Sequence, residues 1–414
     1  MHAMTEEQAS NRIAMLLDGK YPQDIRVRKE AESMADAGLD VLVICPRHEG
    51  ESEQETIRGV KVRRIGSSYT FNKKGWSDII LSVTWRHPLF KKHLENILSE
   101  EKIHHIHVHD LPLMQTALDL KDRIPGKVIM DMHENYPEGI KSWFVWQNSL
   151  LKKIKNRLFF QYSRWLDYES RMSHEADHII AVVDEMKERL IRLNNIPEEK
   201  IIVVSNTEKR DIRSIGSPEK IHPRFKGKFL ITYVGGFSPE RGIDTAIEAM
   251  LEIRQFIPNV NLVLLGSGHS GVISYLRKLV TESGLENEVV FTGKKPFDVA
   301  MSYIEHSDIN IIPHHLNDHT DHTIPHKLFQ IMTLGKPILV SSCRPLKRVV
   351  DVCNAGRVFK AGDAQSFASE VQWIYSHKSE AALMAKQAKE AIKEHGLTWE
   401  DDAKRLVAFY KGLN

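Results

Sequence analysis

Short apolar runs rich in Val, Ile and Leu recur along the chain, most with no polar residue alternating into them, and amphipathic stretches separate most of them. A run that does not alternate predicts a strand covered on both faces, as in a parallel sheet. One series comprises RIAMLL (Arg12 to Leu17), VLVIC (Val41 to Cys45), HHIHVH (His104 to His109), KVIMDM (Lys127 to Met132), HIIAVV (His178 to Val183) and IIVV (Ile201 to Val204). A second comprises FLITYV (Phe229 to Val234), NLVLL (Asn261 to Leu265), EVVF (Glu288 to Phe291), DINII (Asp308 to Ile312) and PILVS (Pro337 to Ser341). Helical patterns between strands give repeated βαβ units, so the fold class is α/β with two doubly wound, Rossmann-like parallel sheets. The polar, aperiodic stretch Thr207 to Lys228 carries Gly and Pro and predicts a linker, with domains over 1–206 and 229–395 on either side.

Composition narrows the class. A chain of 414 residues exceeds what one core organises, in keeping with two domains. Its 57 basic side chains nearly cancel 55 acidic ones, which argues against a nucleic-acid partner. Three cysteines in no ligand spacing predict a reducing, cytoplasmic compartment. The opening MHAMTEEQASN lacks the basic start and apolar run of a secretion signal, and no apolar stretch approaches the roughly twenty residues that span a bilayer. The segment Lys141 to Met172 is basic and holds Trp143, Trp146 and Trp165. It suits either a core or acceptor pocket, or peripheral contact with the cytoplasmic face of the inner membrane.

Open α/β sheets bind ligands at the carboxyl ends of their strands, so the chemistry is sought in the loops that follow. In YVGGFSPERGIDTAIEAM a strand ends at Val234, Gly235 and Gly236 follow, and Arg241-Gly242 opens a helix. Glycines let backbone approach a phosphate, and a helix start adds free N–H groups beside the arginine. The stretch DHTIPHKLFQIMTLGKPILVSS repeats the logic, with Lys327 near a helix start marked by Pro325 and a helix closed at Gly335. Either loop also reads as an ordinary strand-to-helix turn.

Together the strings YVG-x-x-x-x-ERG and P-x-KLF-x-x-M-x-x-GKPI resemble the donor domain of family 4 glycosyltransferases, retaining enzymes of the GT-B fold. LLGSG (Leu264 to Gly268), VVFTGKK (Val289 to Lys295) and DINIIP (Asp308 to Pro313) fall between them in family order, and DMHENYPE and HVHDLPL extend the likeness into the first half. The resemblance implies a nucleotide-diphosphate sugar as co-substrate, a glycan or lipid-linked acceptor, no metal or other cofactor, and a closing helix over 396–414 that returns to the first domain. Surface-polysaccharide biosynthesis, lipopolysaccharide included, is the pathway it implies. Arg241 and Lys327 are expected on the diphosphate. Gly19, Gly235, Gly236, Gly242, Gly266, Gly268, Thr292, Gly293, His322, Ile324, His326 and Gln330 are expected around the donor. His133, after the KVIMDM strand, is expected beside the transferred sugar, with His109, Asp110 and Glu134 on the acceptor side. The sequence departs from the family at Gly236, where an arginine is usual, and at His322 and Gln330, where glutamates are usual; Lys327 is expected to supply the charge missing at Gly236.

The loop HHLNDHTDHTIPH gathers His314, His315, His319, His322 and His326 with two aspartates, but its spacing fits no metal pattern. Two other readings share the fold: a nucleotide-sugar epimerase that works without NAD, and a catalytically degenerate binding protein or scaffold.

Overall fold

The computed structural model describes residues 11–67, 69–143, 156, 158–212 and 215–413. It divides into two compact units, one holding 1–140, 150–204 and 402–414, the other 141–149 and 205–401.

The first unit is built on an eight-stranded sheet in the order β3-β4-β2-β1-β5-β6-β7-β8. Its strands are β1 (Ile13–Leu16), β2 (Val41–Pro46), β3 (Gln54–Ile57), β4 (Val60–Ile65), β5 (His105–His109), β6 (Val128–Met132), β7 (His178–Ala181) and β8 (Ile201–Val203). The chain moves outward from β1 on one side and then returns to β1's other side with β5, which puts the reversal of strand order between β1 and β5. The sheet is parallel as expected except at one edge, where β3 pairs antiparallel with β4. That hairpin was not legible as two apolar runs because β3, QETI, has no buried residue and gains its hydrogen bonds from β4 alone.

The second unit has a six-stranded, all-parallel sheet in the order β11-β10-β9-β12-β13-β14. These are β9 (Phe229–Val234), β10 (Val260–Leu265), β11 (Val289–Gly293), β12 (Ile309–Ile312), β13 (Ile338–Ser341) and β14 (Arg357–Phe359). The reversal lies between β9 and β12. Ile231, Tyr233, Leu262 and Leu264 alternate onto one face of the sheet and meet Ile247, Met250 and Ile253 of the helix Ile243–Phe256. Each such fully buried aliphatic side chain contributes about 1.5–3 kcal/mol relative to exposure. The stretch 207–228 groups with this unit: Gly216 N–H donates to Glu305, His222 N–H to the Tyr303 hydroxyl, and Phe225 is buried against Tyr303.

The last helix, Trp399–Lys411, changes units along its length. Its Trp399 N–H donates to Glu208 O and its Asp401 pairs with Arg210, both in the second unit, while Tyr410 meets His107 in the first. No helix among the described residues is long and apolar enough to cross a membrane. Residues 144–155 and 157 of the basic aromatic segment lie outside the described residues; Trp165 within it is fully buried.

Candidate functional site

Two clusters of charged side chains form at strand ends, one in each unit.

In the second unit the cluster grows from a close approach of backbone. Gly242 has φ +62°, and a Cβ there would lie 1.8 Å from Pro313 O, so only glycine lets the turn after β9 sit against the loop after β12. Gly266 does the same for β9 and β10, where a Cβ would come within 1.8 Å of Gly235 O. The first contact carries Arg241, on the 3-10 turn Pro239–Arg241, to His314, whose Nε2 lies 3.1 Å from its Nη1. Arginine only donates, so His314 accepts with a bare nitrogen. Burial, with Arg241 and Lys327 adding to it, pushes the His314 pKa well down and keeps it the neutral acceptor this contact needs.

Lys327, in the first turn of the helix His326–Thr333, sends its ammonium to Val234 O at 3.3 Å and over the Tyr233 ring, 3.8 Å from the centroid. Tyr233 in turn donates its hydroxyl to Gly236 O at 2.7 Å. Lys327 keeps some exposed surface, but enclosure of the ammonium and the neighbouring Arg241 push its pKa well below the lysine value. Among the described residues no carboxylate comes closer to either cation than Glu240, 3.9 Å from Arg241 Nε. Beside them opens a cavity of about 340 Å³ lined by Gly235, Gly236, Gly266, Ser267, Lys294 and Lys295.

The remaining donor-side expectations fall into two groups. Gly268 and Gly293 flank the same strand ends; Thr292 Oγ1 donates to Leu264 O at 3.3 Å, and Ile324 is buried. His322, His326 and Gln330 instead engage protein groups. His322 donates from Nδ1 to Asp318 O at 2.6 Å and faces Arg344 with Nε2 at 3.3 Å. Gln330 Nε2 donates to Glu208 Oε2 at 3.1 Å, and His326 Nε2 lies 3.0 Å from the same oxygen. A carboxylate thus stands beside Gln330, brought from a stretch that the sequence marks only as polar and aperiodic. The histidine-rich loop does not converge: His314, His315, His322 and His326 go to Arg241, Asp244, Arg344 and Glu208 respectively.

In the first unit the cluster centres on Asp131, near the end of β6. Its Oδ2 lies 3.1 Å from His107 Nε2, 2.9 Å from His109 Nδ1 and 2.8 Å from His133 Nε2. His107 and His109 share one face of β5 because strand side chains alternate. Glu30 reaches in from the helix Ile25–Asp36, its Oε2 3.6 Å from His107 Nε2. That helix is capped by Asp24, whose carboxylate accepts from the Arg26 and Val27 N–H groups and also pairs with the Arg26 guanidinium at 2.9 Å. Asp110 sits at φ +62° and accepts the His133 N–H at 3.2 Å, while Glu134 is half-exposed and 3.9 Å from Arg26. Gly19 follows β1 in the same unit, where its Cβ position would lie nearest the Leu17 side chain.

Burial opposes charge on every member, and the partners decide which stay charged. Asp131 overcomes burial through His133 and the ring N–H donors, and its pKa falls well below the carboxylate range. His133 is desolvated too, yet Asp131 pushes it up to about 9. Burial and then His107 push His109 down to about 3, and burial with Asp131 pushes Glu30 well up. Burial lifts Asp110 to about 6 against the pull of His133 and Arg26. An imidazolium on His133 beside a carboxylate on Asp131 results, with His109 and Glu30 held neutral. Among the described residues the metal-type side chains that gather most closely are here as well: Glu30, His107, His109 and Asp131 have one such atom each within 4.8 Å of the others. Their ring nitrogens lie at hydrogen-bond distance from Asp131.

Glycosyltransferase models match both halves: Glycosyltransferase Family 4 over residues 24–207 and Glycosyl transferases group 1 over 217–391. The chain belongs to the family 4 glycosyltransferases. An uncharacterized glycosyltransferase of Methanocaldococcus jannaschii is 24% identical over 64% of this chain and 65% of its own. The capsular polysaccharide biosynthesis glycosyltransferase CapM of Staphylococcus aureus is 21% identical over 57% of this chain and 63% of its own. The chain therefore matches somewhat under two thirds of the length of these curated relatives. Sucrose-phosphate synthase of Thermosynechococcus elongatus shares the fold over 97% of this chain and 99% of that one, with TM-score 0.76 and 18% identity. Anabaena HepE, solved with UDP-glucose, does so over 97% and 100%, with TM-score 0.71 and 15% identity. The two parallel-sheet units are those of the GT-B fold.

The sequence did not point to Asp131, Glu30, Tyr233, Glu208 or His314 as parts of these clusters. For Asp131 a signal existed: an aspartate inside the apolar run VIMDM is a buried charge that needs partners.

Proposed function

We propose that this glycosyltransferase moves a sugar from a nucleoside-diphosphate sugar to a hydroxyl of a glycan or lipid-linked acceptor, with retention of configuration, without a metal, and in cell-surface polysaccharide biosynthesis. One observation carries the donor assignment. Arg241 and Lys327 meet at glycine-lined strand ends where, among the described residues, no carboxylate lies within 4.0 Å of the Lys327 ammonium and Glu240, at 3.9 Å, is the one that approaches Arg241. Two cations gathered with so little counter-charge repel each other, and a diphosphate relieves that repulsion on binding. HepE was solved with UDP-glucose, and CapM is named for capsular polysaccharide biosynthesis, which supports the donor class and the pathway.

In this mechanism the departing diphosphate gains negative charge that Arg241, Lys327 and the backbone N–H groups of the glycine loops offset. His314 holds the guanidinium in place from behind. The cavity beside Gly235 and Gly266 takes the nucleoside. His133 is an imidazolium with no lone pair, so it donates to the transferred sugar and cannot serve as base; the leaving phosphate accepts the acceptor's proton.

Thermal unfolding with UDP, GDP, ADP, CMP and their sugars, each with and without EDTA, tests the donor site. A ligand at 100 times its Kd stabilises by about 2.7 kcal/mol. Selective stabilisation by one diphosphate that survives EDTA supports the reading, and no shift from any of them removes it. Turnover of the donor with no acceptor present would mark an epimerase, and NMR of the transferred product's anomeric proton decides retention.

A further inference from the structure

Among the described residues a buried hydroxyl ties the first-unit cluster to the closing helix. Tyr410 is 3% exposed, and its Oη lies 2.6 Å from His107 Nδ1. Burial, Asp131 and Glu30 push the Tyr410 pKa well up, so the phenol keeps its proton and has one partner on which to spend it. His107 Nδ1 is then the acceptor, and the ring proton is fixed on Nε2. That nitrogen faces Asp131 Oδ2 at 3.1 Å. His109 Nδ1 and His133 Nε2 face the same oxygen at 2.9 and 2.8 Å.

We propose that Tyr410 is a positioning residue for His133: by fixing the His107 tautomer it supplies a donor that keeps Asp131 ionised, which leaves the mobile proton on His133.

Asp131 and His133 are too close for their protons to be independent. One proton between them gives either carboxylate with imidazolium or carboxylic acid with neutral imidazole. Each N–H aimed at Oδ2 favours the first arrangement, and the His107 tautomer decides whether one of them is present. The other groups facing His133 are His109 from β5 and Asp110 just after it, Glu30 and Arg26 from the helix Ile25–Asp36, its cap Asp24, and Glu134. None of these touches Tyr410's hydroxyl in place of His107. The Tyr410 ring also stacks near His107, 6.1 Å between centroids, so removal of the hydroxyl alone separates chemistry from packing.

The inference rests on His133 as the reacting-site residue of this unit, and its test does not need transfer to occur. Ring-nitrogen NMR of the full-length protein follows His133 in wild type, Tyr410→Phe, His107→Gln and His107→Leu. Glutamine can accept from Tyr410 and donate to Asp131; leucine can do neither. Both His133 nitrogens should be protonated at pH 7 in wild type and His107→Gln. In Tyr410→Phe and His107→Leu part of that proton should pass to Asp131, and kcat should fall roughly two- to tenfold, the worth of one hydrogen bond, at unchanged donor affinity. An unchanged His133 titration in Tyr410→Phe overturns the proposal. So does a His107→Gln protein as impaired as His107→Leu, or a stoichiometric metal ion found on these residues. A shifted titration in a protein with no transferase activity upholds the network and removes the activity reading instead.

Discussion

The two units treat buried charge in opposite ways. Around Asp131 the first unit matches one carboxylate with one imidazolium and holds the neighbouring His109 ring neutral, so the pair balances itself. Around Lys327 the second unit brings two basic side chains together, with Glu240, 3.9 Å from Arg241, the nearest carboxylate among the described residues. A self-neutralised cluster stabilises the fold and fixes orientation; an unbalanced one costs stability that a bound anion returns.

The largest effect that would break this contrast is on folding. Asp131→Asn removes the carboxylate that holds the charge on His133, whose ring should then give up its proton to burial, and the lost ion pair should cost about 3–5 kcal/mol in urea unfolding at pH 7. The sign follows from the two shifts. His133 is raised from 6.5 to about 9, so its contribution is complete below 6.5 and lost as pH rises through 9. Asp131 is lowered from 3.8, so its contribution is present above 3.8 and lost in acid. The gap between wild type and variant should therefore be widest between these limits and narrow above pH 9. A pH-independent gap would mean the pair is not charged.

His133→Ala should lower the transfer rate about 10²–10³-fold, as for loss of one preorganised donor, while calorimetry finds donor affinity nearly intact. A collapse of donor affinity instead would merge roles that the contrast keeps apart. Arg241→Ala should weaken binding of the nucleoside diphosphate by about 1.5–3 kcal/mol, the range for a hydrogen bond to a charged group. Smallest and most diagnostic is Lys327→Met. Its removal should raise the melting stability of the free protein by a few tenths to about 1 kcal/mol while shrinking the shift that the diphosphate induces. Because the lysine's pKa is depressed, the free protein holds fewer protons than the unfolded chain, so this lysine makes wild type gain stability as pH rises towards 10.5; the variant should lose that slope. An unaltered slope with full ligand response would remove Lys327 from the site.

Much of the fold was legible because strands buried on both faces leave unbroken apolar runs such as FLITYV and VLVIC. The β3–β4 hairpin escaped because its edge strand buries nothing, and β14 because three residues carry too little pattern. Of the second-unit cluster, Gly242 and Arg241 were legible from a strand followed by glycines and a basic helix start. Glu208 was not, since nothing local announces that a linker carboxylate meets Gln330 across 122 positions of chain. His133 was singled out, but its charge state depends on Tyr410, Glu30 and Arg26, and only folding brings these together.

The threading of the chain sets a rule for dissection. Because the first unit is assembled from 1–140, 150–204 and 402–414, a fragment cut at the apparent linker would carry every strand of its sheet and still lack the tyrosine that orders its histidines. A circularly permuted gene, in which the closing helix is joined ahead of β1, is the form in which that half could be produced and studied alone.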